Sequence, residues 1–298
     1  MTAIPVLMYH HVNDSGSFIT VDVARFEQQM RLLQRMGYRT LHTADLLEVA
    51  VGGVAPQRCV MITFDDGWLD NYVYAYPILK KYGHKAVIFV VTSWITEQGL
   101  RPRMDEGFTT PLPSHKECVR MVEEGNGAQC VLSWQELGKM ERSGIIDVQS
   151  HTHTHVRFDQ RYEDNADRLA HLHSDLQRSR GLIRERLDKE SHGLCWPWGV
   201  YDEGWIATAT QAGFKALFTT RTGTNTPQDG LLEIKRIVIG NVGEFALKIC
   251  CYVFKHVYCP LSVSDFIDTI YPPNVSSASL TTGSAMASAF KSLAGGEF

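Results

Sequence analysis

The 298-residue chain has no run of about 18 apolar residues, the length a membrane-spanning helix needs, and no long block of one charge. Its 29 basic and 33 acidic residues leave a formal charge of −4, which disfavours a nucleic-acid backbone as partner. Seven cysteines is an odd number, their spacings are irregular and no CxxC pair occurs. Neither a disulfide framework nor a thiolate zinc site is indicated, and a reducing compartment fits best. Prolines number only 11, and with 44% hydrophobic and 21% charged residues the composition is globular rather than fibrous or disordered. The first ten residues lack a basic region and hold too short an apolar run for a signal peptide. As the chain stands a cytoplasmic location is expected, although a trimmed leader would leave the same start.

What the chain does have is regular alternation. Residues 6–9 read as a strand ending at His10 and His11, and Phe26, Met30, Leu33 and Met36 recur at helical spacing before Gly37. Strands are predicted over 38–41, 59–64 and 85–91, with a helix over 43–51 and a helical segment to about 82, broken or restarted near Pro77. Residues 93–131, with three prolines and four glycines and no clear period, read as an inserted loop or lid. Ser133 and Glu136 have capping-box spacing and open a helix to about 143, followed by a strand over 145–149. A long amphipathic helix is predicted within 162–190, then a strand over 193–196, a helix over 202–212, and strands over 215–219 and 233–239. Strands and helices in this order imply a parallel sheet, either a closed barrel or an open doubly wound sheet.

The expected organisation is therefore a barrel over 1–243, an apolar helical segment over 244–275 and a disordered tail over 276–298. Phe245, Ile249, Val253 and Val257 share one face of residues 244–258, which would cap the barrel or, alternatively, touch a membrane surface or a partner.

The chemistry gathers where strands end. The run 59–64 stops at Asp65, Asp66 and Gly67, and paired carboxylates at a strand end need a cation, a proton or hydrogen bonds. His151 and His155 are four residues apart, so on a helical turn both imidazoles would face one cation, with His153 left as a supporting or surface residue. With one aspartate they form a two-histidine, one-carboxylate set suited to Zn2+, with Co2+, Ni2+ or Fe2+ as alternatives. The second aspartate is then free as general base toward a water, and hydrolysis of an acyl bond follows. His10, also at a strand end, is a candidate acid or a residue lining the site.

These residues carry a family likeness. The segment Thr63-Phe64-Asp65-Asp66-Gly67, then His151-Thr152-x-x-His155, then Trp196-Pro197-Trp198-Gly199 resembles, in order and interval, the first three signature motifs of the NodB-type polysaccharide deacetylases. The opening Pro5-Val6-Leu7-Met8-Tyr9-His10 is most similar to the poly-N-acetylglucosamine deacetylase branch, and the likeness spans about residues 5–240. It implies a distorted (β/α) barrel and one divalent metal held by Asp66, His151 and His155. Asp65 would be the general base and the Trp198 backbone N–H the oxyanion donor, with Trp68, Trp196, Pro197 and Trp198 lining the sugar. The implied activity is metal-dependent N-deacetylation of an amino sugar in a polysaccharide, an oligosaccharide or a lipid-linked precursor. Two family features are missing from their usual places: an arginine just before the third motif, and a late histidine to protonate the leaving amine. Those departures keep open a catalytically idle glycan-binding barrel, or a metal-independent amidase on another substrate.

Overall fold

Apolar runs of three to six residues become strands and the segments of helical period become helices, in near-strict alternation. The computed structural model describes residues 3–17 and 19–241; the segments predicted over 244–275 and 276–298 lie outside the described residues. In chain order the elements are β1 (Ile4–Tyr9), β2 (His11–Val12), β3 (Thr20–Val21), α1 (Val23–Arg35), β4 (Arg39–Leu41), α2 (Thr43–Ala50) and β5 (Cys59–Phe64). There follow α3 (Tyr76–Tyr82), β6 (Ala86–Val90), α4 (His115–Glu123), α5 (Trp134–Arg142), β7 (Ile146–Ser150), α6 (Phe158–Arg161) and α7 (Asn165–Leu187). The described chain ends with β8 (Gly193–Cys195), α8 (Glu203–Gln211), β9 (Ala216–Phe218), β10 (Thr224–Asn225) and β11 (Ile237–Val238).

Adjacent strands run β1-β5-β6-β7-β8-β9 and pair in parallel. The segment 234–238 joins the two edges: Ile234 bridges Phe218, and Ile237 and Val238 pair with Leu7 and Met8. The sheet thus curls into the distorted parallel barrel expected from the sequence. β5 and β6 are buried at every position, as strands covered on both faces must be. Met61, Val87, Phe89, Cys195, Ala216, Phe218 and Ile234 share one interior cluster, while α7 and α8 pack Leu172, Leu176, Trp205 and Ala209 against Leu194 and Leu217 outside it. No helix of the described residues is long and apolar enough to cross a membrane.

One segment shows the break expected near Pro77, and another differs from expectation. Before α3, Asn71–Ala75 form a π-helical turn in which Tyr76 N–H reaches back to Asn71 O. Pro77 explains it, because proline has no N–H for the α-helical ladder and its ring needs the wider turn. The insertion 93–131 is not a bare loop or open lid. It contains α4 and packs Cys118, Cys130 and Val131 around Trp68. Arg101 pins it, binding the fully buried Glu136 through Nε at 2.8 Å and Nη2 at 2.5 Å, and also donating to the carbonyls of Ala128 and Val131.

Candidate active site

Register brings the site together. Tyr9 pairs with Phe64, and Val90 with Ser150, so the residues that follow β1, β5, β7 and β8 (His10, Asp65 with Asp66, His151, and Trp196) emerge at one mouth of the barrel. This is the C-terminal face, where parallel α/β barrels carry their chemistry.

The two aspartates diverge for a backbone reason. Asp65 continues the strand, its N–H bonded to Tyr9 O, whereas Asp66 turns into the left-handed region at φ 77°. Gly67 continues that turn at φ 90°, with Val90 and Ile95 so close that a Cβ there would sit 3.2 Å from each. Four non-glycine residues of the site (Asp66, Thr152, His155 and Trp198) have positive φ, a conformation that persists only where the surroundings hold it.

Asp66 divides its two oxygens. Oδ2 accepts a hydrogen bond from Trp68 Nε1 at 2.9 Å, and Oδ1 faces His151 Nε2 at 3.4 Å and His155 Nε2 at 3.6 Å. The three ligand atoms lie within 4.8 Å of one another. His151 Nδ1 donates to Cys195 O at 2.8 Å, which fixes the tautomer that leaves Nε2 as a metal ligand. The donor set therefore fits a divalent cation held by Asp66, His151 and His155. Asp65, His151 and Cys195 form a second close group, but Arg236 occupies both Asp65 oxygens and the Cys195 sulfur, so a cation there would meet a guanidinium.

Burial opposes charge on Asp66, yet its contact with His151 and the nearby His10 and His155 hold its carboxyl far below the usual range. Desolvation brings His155 down to about 4, so that imidazole is neutral at neutral pH. His151 is also desolvated, but the polar groups around it, Cys195 and Asp66 foremost, carry its pKa well above the ordinary value in the absence of a cation.

Arg236, fully buried just before β11, supplies the arginine missing from the third motif. Its Nη1 and Nη2 grip Asp65 Oδ1 and Oδ2 at 2.7 and 2.8 Å, while Nε donates to Thr219 O at 2.8 Å. Burial pushes the Asp65 pKa up; the guanidinium outweighs it and holds the carboxyl below its ordinary value. The sequence signal was an arginine within the strand predicted over 233–239, and its partner could not be read from spacing across 171 residues.

His10 Nε2 lies 3.9 Å from Asp65 Oδ2 with its side chain partly exposed, and burial lowers its pKa despite the aspartates beside it. The helical turn expected to carry His151 and His155 is absent; 151–157 is a loop whose left-handed residues Thr152 and His155 bring the rings together, centroids 5.0 Å apart.

The proposed sugar-lining set divides. Trp198 is 63% exposed and its ring lies 5.4 Å from that of His155. Trp196 is 1% exposed, stacked on Tyr201 and tilted against Trp205, Pro197 is buried, and Trp68 is wholly buried. Those three cannot touch a ligand through their side chains; Trp68 instead orients Asp66. Gly199 is required beside Trp198, since at φ 67° an added Cβ would lie 2.0 Å from Thr220 Oγ1.

A further chain of groups had no signature in the sequence. Asp70 Oδ2 binds His11 Nδ1 at 2.6 Å, His11 Nε2 meets His115 Nδ1 of the insertion at 3.2 Å, and the His11 ring stacks on Trp68.

Comparison with known proteins agrees with this geometry. The sequence profile of the family described as polysaccharide deacetylase matches residues 52–217. YxkH of Bacillus subtilis (strain 168), whose name provisionally assigns it to polysaccharide deacetylases, is 28% identical over 78% of this chain and 70% of its own length. The poly-beta-1,6-N-acetyl-D-glucosamine N-deacetylase of Escherichia coli (strain K12) is 25% identical over 82% of this chain, which spans only 38% of that enzyme. Among solved structures, the Streptococcus pyogenes deacetylase PplD has the same fold, with a TM-score of 0.67 at 23% identity, covering 84% of this chain and 98% of PplD. The family profile covers more than half of the sequence, and its motif residues are those that meet at the barrel mouth: the chain belongs to the polysaccharide deacetylase family.

Proposed function

We propose that this chain is a metal-dependent N-deacetylase acting on N-acetylglucosamine units of a polysaccharide, the substrate class named for the Escherichia coli relative. The observation that supports it best is the arginine-clamped Asp65 immediately beside the Asp66, His151 and His155 set. Held by those three residues, a divalent cation, with Zn2+ best suited to two imidazoles and a carboxylate, would polarise the acetamide carbonyl. Asp65, kept ionised and fixed in direction by Arg236, takes the proton of the attacking water. The Trp198 N–H donates to the oxyanion that develops at the acetamide carbon. As the C–N bond breaks, the proton collected by Asp65 passes to the leaving amine, directly or through His10, whose Nε2 lies 3.9 Å from Asp65 Oδ2, so that acetate and a free amino sugar result. The exposed Trp198 ring offers an apolar face for a sugar to lie against.

The idle-barrel alternative rested on a missing arginine and a missing late histidine; Arg236 on Asp65 speaks against the first ground, and His10 is the candidate for the second. A lipid-linked precursor rested on the expected cytoplasmic location and on residues 244–258, and it draws no support from the described residues. The test is acetate release from β-1,6-linked N-acetylglucosamine oligomers before chelation, after it, and after Zn2+ is restored. Metal-replete protein that releases no acetate would reject the proposal.

A further inference from the structure

We infer that Asp175, with Ser179 one turn further along α7, is a positioning residue for the metal-ligand loop, setting the His151 and His155 geometry without touching the cation. The inference rests on the metal assignment above.

The buried face of α7 consists of Leu172, Asp175, Leu176, Ser179 and Ile183, the spacing of an amphipathic stripe. Two polar residues stand where apolar ones would pack, and both are buried, Asp175 at 7% exposure and Ser179 at 0%. A carboxylate in such a place needs hydrogen bonds, and every one it makes goes to the stretch between the two histidines. Asp175 Oδ1 accepts from His153 N–H at 2.7 Å, and Oδ2 from Thr154 N–H at 3.0 Å and Thr154 Oγ1 at 2.5 Å. Ser179 Oγ donates to Thr152 O at 3.2 Å and shares a 2.7 Å hydrogen bond with Ser150 Oγ, which itself accepts from Thr152 N–H. From the other side Thr92 and Ser93 N–H groups bond to the carbonyls of Thr152 and His153, at 3.3 and 3.0 Å.

The loop is thereby clamped between α7 and the end of β6. The clamp is what the backbone demands: Thr152 at φ 69° and His155 at φ 58° are in the left-handed region that non-glycine residues avoid. Released, the loop relaxes toward ordinary dihedrals, and the two imidazoles separate. Asp175 thus does for the loop what a carboxylate hydrogen-bonded to a ligating ring does for a single ligand, and changes to such supporting groups typically weaken metal binding by about 10- to 100-fold.

The experiment titrates Co2+ into purified full chain and into Asp175→Asn, Ser179→Ala and His151→Ala, following heat and the visible d–d absorption. Asp175→Asn keeps the size of the side chain but turns an amide donor toward N–H groups. It is expected to bind Co2+ about 10- to 100-fold more weakly with a shifted spectrum. Ser179→Ala, which tests the clamp should Asp175→Asn not fold, is expected to shift both readouts in the same direction by a smaller factor. In turnover, kcat falls at subsaturating metal while KM for the oligosaccharide stays unchanged. Folded variants with wild-type affinity and spectrum would overturn the inference alone. Wild-type chain that takes up no Co2+, Zn2+ or Ni2+ would overturn the metal assignment and the inference together.

Discussion

Replacing Arg236 with methionine removes a wholly buried guanidinium and leaves Asp65 in the barrel without the cation that grips both its oxygens. The loss is two hydrogen bonds to the carboxylate at 2.7 and 2.8 Å, one to Thr219 O, and those to Thr63 Oγ1 at 3.4 Å and Cys195 Sγ at 3.0 Å, with methionine filling much of the space beside Phe89. Breaking one side of a buried ion pair costs roughly 3–5 kcal/mol, a large part of the roughly 5–15 kcal/mol a domain has. In urea unfolding at pH 7 that corresponds to a midpoint lower by about 1–2 M. The pH dependence follows from the direction of the Asp65 shift. In the wild type the folded carboxyl lies below its ordinary value, so its contribution is present above about pH 4 and is lost as pH falls through the folded value. Without the guanidinium, burial pushes the carboxyl above its ordinary value, and the variant loses stability as pH rises from about 4 to that raised value. The stability gap therefore widens with pH over that window, and the acidic limb of kcat/KM moves upward with it. Arg236→Lys, which keeps a charge but not the two-pronged geometry, falls between the two. An Arg236→Met protein within about 1 kcal/mol of wild type at pH 7, with a gap independent of pH, would refute the argument.

Asp66→Ala and His151→Ala are each expected to lose the bound divalent metal on dialysis, whereas Asp65→Asn retains it and loses about 10²–10⁴-fold in turnover; elemental analysis beside an acetate assay separates these roles. Because Asp66 and the groups around His151 favour its protonated form while His155, at about 4, is already neutral, metal uptake expels a proton mainly from His151. Apparent affinity then rises with pH until His151 is neutral in the free protein, and calorimetry in buffers of different ionisation enthalpy counts the proton; uptake without proton release would contradict the site. Gly199→Ala must move Thr220 or the Trp198 turn, since the new Cβ falls 2.0 Å from Thr220 Oγ1 at φ 67°. The left-handed backbone adds about 1–2 kcal/mol of strain, and KM for the oligosaccharide should rise more than metal affinity falls.

Much of the barrel was legible because its signals are local. A six-residue apolar run, Cys59–Phe64, became the expected strand without a residue's difference, and the Ser133 and Glu136 capping box opened α5 as read. The insertion was less legible, since α4 is only nine residues long and the segment as a whole is pinned by Arg101 on a buried glutamate that lies beyond the insertion itself. The third motif showed how local reading errs: in Trp196-Pro197-Trp198 only one ring reaches solvent, and which one depends on the turn at Gly199 and on Thr220 opposite it.

By itself the sequence determined the alternation of strands and helices and the two places, Asp65 with Asp66 and His151 with His155, where polar chemistry sits at strand ends. Residue type and short-range period suffice for that. Only the tertiary structure decided what surrounds those groups. Barrel closure delivers Arg236 to Asp65, the register sets His10 beside it, and α7 lends Asp175 to a loop that a helical turn was expected to provide. A buried charge is stabilised by whichever partner the fold brings within about 3 Å, and that pairing depends on distance in space rather than separation along the chain.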